Sequence, residues 1–82
     1  MYPNKLYFKK ALKLLENPKT RLVRYEYWNA DIRDYDGDEL GVISQKVTDK
    51  LIESGKLEFI GNGTGLLNHE RYFKLKVAPA VL

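Results

Sequence analysis

Eighty-two residues with a net charge of +3, 44% hydrophobic and 12% aromatic side chains and no cysteine make a short basic chain. That length holds a single hydrophobic core and hence one domain, residues 1–82, and the apolar content argues against disorder. The absence of cysteine excludes disulfides, thiolate metal sites and a thiol nucleophile; the N-terminus has no apolar leader and no run is long enough to span a bilayer, so a cytoplasmic protein without membrane association is expected.

Leu6, Tyr7, Phe8, Ala11, Leu12, Leu14 and Leu15 recur at helical spacing, with Lys5, Lys9, Lys10 and Lys13 on the polar side. The pattern predicts an amphipathic helix from Asn4, a capping residue, to Glu16, ended by Asn17-Pro18. Arg21 to Trp28 alternates, with Val23, Tyr25 and Tyr27 on one face and Leu22, Arg24, Glu26 and Trp28 on the other. This is a strand with large apolar groups on both sides, one of which must be covered by the chain itself or by a partner.

Asp36-Gly37 supplies the positive φ that a tight turn needs, so Arg33 to Tyr35 and Leu40 to Ile43 are expected to pair around it. A short helical turn over Asp38 to Gly41 is the competing reading. Ser44 is a good N-cap, Val47, Leu51 and Ile52 form an inward stripe, and Gly55 stands where a helix ends in a left-handed residue. Leu57 to Ile60 and Arg71 to Val77 then read as strands, with Phe59, Phe73, Leu75 and Val77 inward and Gly61-Asn62-Gly63-Thr64-Gly65 as the loop between them. The tail, Ala78 to Leu82, is short and apolar and either packs or frays.

Charge is unevenly spread. Residues 1–28 carry seven Lys and Arg against two Glu, residues 29–39 one Arg against five acidic residues, and the remainder six Lys and Arg against four acidic residues. A basic face is therefore expected from the first helix and strand, with the acidic turn as a separate feature.

The run Val47-Thr48-Asp49-Lys50-Leu51-Ile52-Glu53-Ser54-Gly55-Lys56-Leu57-Glu58-Phe59, followed by a glycine-rich loop and Arg71-Tyr72-Phe73-Lys74-Leu75, resembles the recognition helix and wing of the winged-helix superfamily of DNA-binding domains. The likeness covers roughly the C-terminal half. It implies a small α+β, winged-helix-like domain: two main helices, an aromatic strand and a C-terminal β-hairpin wing. By that resemblance Ser44, Gln45, Lys46 and Lys50 would face base edges and phosphates, with Arg71 from the wing and Lys9 and Lys13 from the first helix beside them. Lys46 and Lys50 are balanced by Asp49 and Glu53, so the helix itself is neutral.

Other constellations read more plainly. Asp34-Tyr35-Asp36-Gly37-Asp38 has the alternating carboxylates of a calcium loop, but its glycine is fourth instead of sixth and Gln45 stands where a bidentate Glu belongs; it is expected to be a solvated turn without metal. His69 lies beside Glu70 with no nucleophile near it in sequence. The glycine-rich loop lacks the Lys-Ser or Lys-Thr of a phosphate loop. The expectation is thus a non-catalytic binding module without cofactor or metal, a DNA-binding accessory or regulatory protein. The alternative is a protein-interaction module, or a homodimer, using Tyr25, Tyr27 and Trp28; with Tyr35, and beside Arg24 and Arg33, these aromatics could also stack on single-stranded bases or equally belong to the core.

Overall fold

The computed structural model describes residues 5–25, 29–63 and 70–76. The proposed cap Asn4, the interface residues Tyr27 and Trp28, the loop residues Thr64 and Gly65, His69, Val77 and the tail lie outside these segments.

Eight elements follow one another: β1 (Lys5–Leu6), α1 (Phe8–Leu15), β2 (Thr20–Arg24), β3 (Ala30–Asp34), β4 (Glu39–Ile43), α2 (Gln45–Glu53), β5 (Leu57–Asn62) and β6 (Arg71–Leu75). The strands form one six-stranded sheet in the order β1-β4-β3-β2-β6-β5. All pairings are antiparallel except β1 with β4. The domain is α+β as expected, but its sheet is larger than the sequence indicated.

The first departure is at the N-terminal side. Leu6 is not on a helix; it pairs with Ile43 in a parallel bridge and is buried to 1% exposure. The helix begins only at Phe8, after Tyr7 in an extended conformation with no side-chain cap. Ala11 and Leu15 are its fully buried positions. Its exit is tied to β2 by Thr20, whose hydroxyl lies 2.8 Å from the carbonyls of both Leu14 and Asn17 and donates its one proton between them.

The hairpin reading of the acidic turn holds, and no helical turn forms there. Asp34 makes the turn: its Oδ1 accepts the N–H of Asp36 at 3.0 Å and of Asp38 at 2.9 Å, while its carbonyl accepts the Gly37 N–H at 3.1 Å. Gly37 has φ +91°, the region where a side chain is strained. The carboxylate thus satisfies backbone donors, the usual work of an aspartate at a turn.

α2 follows its signals closely. Ser44 Oγ accepts the Val47 N–H at 3.2 Å, and Gly55 at φ +75° lets the chain leave the helix. Leu51 is fully buried with Val47 and Ile52 partly so; Thr48 is buried as well, its hydroxyl turned back to the Ser44 carbonyl at 2.8 Å.

One core joins these parts. Ala11 and Leu15 of α1 and Leu51 of α2 meet Leu22, Ala30, Ile32, Ile43, Leu57 and Phe73 of the sheet together with Leu6. Register explains the grouping, because Leu22 stands opposite both Ile32 and Phe73, and Ala30 opposite Ile43. Residues opposite each other share a face. Both helices therefore cover one face of the sheet, and burying each such aliphatic side chain contributes about 1.5–3 kcal/mol.

The C-terminal hairpin is present, but it is not a free wing: β6 pairs with β2 on its other side, so the hairpin is an extension of the sheet. Phe59, expected inward, is 53% exposed. It lies on the edge strand, where Phe73 packs against it, edge-on at 5.6 Å between ring centres.

Candidate nucleic-acid interface

On the helix-covered side, the cations expected at a DNA surface come from α1, α2 and β6. Lys9 and Lys13 are exposed on α1, Lys46 and Lys50 are exposed on α2, and α1 packs against α2. Arg71, also exposed, stands opposite Arg24 in the β2–β6 register, which places it on this same face. Gln45 is exposed at the first turn of α2, and Ser44 precedes it as the cap, its oxygen already accepting from the backbone.

One contact changes the electrostatics of α2. Arg24 Nη2 reaches across from β2 to Asp49 Oδ1 at 2.6 Å, both side chains being partly open to solvent. Such a pair contributes up to about 1 kcal/mol to stability. Its larger effect is local: the carboxylate between Lys46 and Lys50 in sequence is engaged with a cation, so Glu53 is the remaining acidic group on the helix. The neutrality of α2 counted along the chain is not the neutrality of its surface.

The opposite face of the sheet carries a different set of side chains. Asp31 is its centre, buried to 7% exposure. Oδ2 accepts the Tyr25 hydroxyl at 2.9 Å and the Arg33 guanidinium through Nη2 at 3.1 Å and Nε at 3.3 Å. Burial, then the Asp31 carboxylate, push the Tyr25 phenol above its ordinary pKa. Partial burial is the largest influence on Arg33 and lowers its pKa, but hydrogen bonding and charge attraction from Asp31 and Tyr25 together outweigh it, so the guanidinium is held more firmly charged. A register shift after Ile32 brings Glu39 opposite Arg33, and the hydrogen bond between its carboxyl and Asp31 raises the Glu39 pKa.

Beside this cluster, Arg21 lies over the Tyr72 ring at 4.1 Å and within 5.8 Å of the Tyr35 ring, and Lys74 lies 4.6 Å from Tyr35. Tyr72 donates to Glu70 Oε2 at 2.8 Å, and that bond raises its pKa. Gly63 abuts this pair so closely that a Cβ there would collide with the Tyr72 hydroxyl and Glu70. The sequence set Tyr25 and Tyr35 beside Arg24 and Arg33 but did not join Arg21 and Tyr72 to them, because the pairing of β2 with β3 and β6 links residues far apart in the chain.

Of the residues expected at a protein interface, Tyr25 is on this open face and bonded to Asp31. Among the described residues no three His, Cys, Asp or Glu side chains gather to hold a metal ion, and no helix is long and apolar enough to cross a membrane. No protein-family model, curated protein or solved structure matches the chain.

Proposed function

We propose that this chain is a small non-catalytic binding module that engages duplex DNA from its helix-covered side, in the manner of a winged-helix-like accessory or regulatory protein. The observation that carries this reading is the common side shared by Lys9 and Lys13 of α1, Lys46 and Lys50 of α2 and Arg71 of β6, with Asp49 held by Arg24. Phosphate neutralisation by such cations supplies most of the affinity of a small DNA binder. Gln45 and the Ser44 hydroxyl, at the start of α2, have the chemistry to meet base edges.

Fluorescence anisotropy of a labelled duplex across a salt series tests the proposal. Binding weakens as salt rises, and Lys46→Glu with Lys50→Glu lowers both the affinity and the slope of its logarithm against salt, by about one unit for each phosphate no longer neutralised. Tyr25→Phe leaves both unchanged. No duplex response at low salt with protein at tens of micromolar, roughly where non-specific binders respond, would sink the reading. Loss of a protein partner on Tyr25, Tyr27 or Trp28 substitution, with DNA binding absent, would favour the interaction module instead.

A further inference from the structure

Arg21 and Arg33 are direct neighbours across β2 and β3, both on the open face of the sheet. Like charges in that position repel unless something compensates. Arg33 is compensated by Asp31 and by the Gly37 carbonyl, which accepts its Nη1 at 2.9 Å. For Arg21 the case differs: its guanidinium has the Tyr72 and Tyr35 rings for company, and its Nε is buried with no hydrogen-bond partner among the described residues. A buried donor without an acceptor is rare and calls for an explanation.

The space beside it supplies one. A cleft of about 290 Å³ opens on this face, lined by Arg21, Val23, Tyr25, Arg33, Glu70 and Tyr72. We infer that this cleft binds a phosphate group carried on a larger organic body, with Arg21 as its main contact. The anion gives Arg21 the acceptor it lacks and relieves its repulsion with Arg33. Guanidinium is suited to phosphate by its fixed fork of donors. Room for roughly ten water volumes leaves space beside a bare phosphate, and the Tyr25 and Tyr72 rings are walls for a planar group attached to it. Glu70, bonded to the Tyr72 hydroxyl, adds a negative charge at the cleft that disfavours a polyphosphate and selects a single phosphate, as in a nucleoside monophosphate or one phosphodiester of a single strand.

The site is independent of the helix-side reading, since it uses other residues on the opposite face. Titrating the full chain with AMP and with a short single-stranded oligothymidylate, followed by calorimetry and by the Arg21 Nε–H resonance, separates the two sources of the phosphate. Saturable binding of AMP with a shifted Nε–H resonance assigns a free nucleotide; tighter binding of the oligomer assigns a strand. Arg21→Gln weakens the bound probe about ten- to a hundredfold, as expected for loss of a charge-assisted hydrogen bond, and Arg21→Lys recovers part of it. Lys46→Glu with Lys50→Glu changes neither the affinity for AMP nor the Arg21 Nε–H shift that AMP produces. Should Arg21→Gln unfold, as circular dichroism would reveal, Arg21→Lys and the resonance of the unsubstituted chain decide. Failure of both probes to move that resonance at millimolar concentration, or undiminished binding in folded Arg21→Gln, overturns the inference.

Discussion

The two faces of the sheet are built by different physics from the same strands. On the helix side, Leu22, Ile32, Ile43 and Phe73 close against Ala11, Leu15 and Leu51, so stability there comes from removing aliphatic surface from water. On the open side, Val23 and Asp31 are buried not under a helix but in a layer that includes Tyr25, Arg33 and Tyr72, held by hydrogen bonds and stacked cations. Polar layers of that kind contribute less per residue and are more sensitive to chemistry. Aliphatic burial thus belongs to the closed face, and the groups with shifted pKa values to the open one.

The largest effect should come from the closed face. Leu51→Ala removes a fully buried side chain at the junction of α2 with the core and is expected to cost about 2–5 kcal/mol. Chemical denaturation measures it, and an unchanged midpoint would mean that α2 does not seat on the sheet through Leu51. On the open face, Asp31→Ala leaves the Tyr25 hydroxyl and the Arg33 guanidinium without their shared acceptor, for an expected loss of about 1–3 kcal/mol. A loss as large as that of Leu51→Ala would erase the contrast between the faces.

The smallest effect is a pH dependence confined to the open face. Tyr25 and Tyr72 both have raised pKa values in the folded protein, Tyr25 through burial and Asp31, Tyr72 through Glu70. Folding therefore favours their protonated forms: the contribution is complete below the ordinary phenol value of about 10 and is lost as pH rises through the higher folded value. Stability curves measured up to strongly alkaline pH should bend downward above about pH 10, and Tyr25→Phe should reduce the bend. An identical bend in Tyr25→Phe would remove Tyr25 from the account, whereas Leu51→Ala should lower the whole curve without changing its shape.

Much of the fold was legible because its signals are local. Ser44, the Val47, Leu51 and Ile52 stripe and Gly55 specify α2 within a dozen residues, and Asp34 to Gly37 specify the β3–β4 turn through bonds no more than four residues long. The lysines of the candidate DNA surface were readable for the same reason, since Lys9 and Lys13 on α1 and Lys46 and Lys50 on α2 must point away from the apolar stripes. Helical periodicity misled at Leu6 because a single inward leucine fits a helix or a strand equally well, and only its pairing with Ile43 distinguishes them. Phe59 misled because alternation marks a face without telling whether a strand is central or at an edge.

Caps, turn residues and periodicity were enough to read α2 and both hairpins of a small α+β domain, because each depends on residues close along the chain. Tertiary structure alone decided that β6 joins β2, that Arg24 reaches Asp49, and that Arg21 and Arg33 share one side of the sheet. Those facts depend on register between strands far apart in sequence, where a slip of one residue exchanges the two faces. No local preference records that choice; the common packing of Leu22, Ile32 and Phe73 beneath the helices selects it, and the chemistry of the open face follows as the other half of the same alternation.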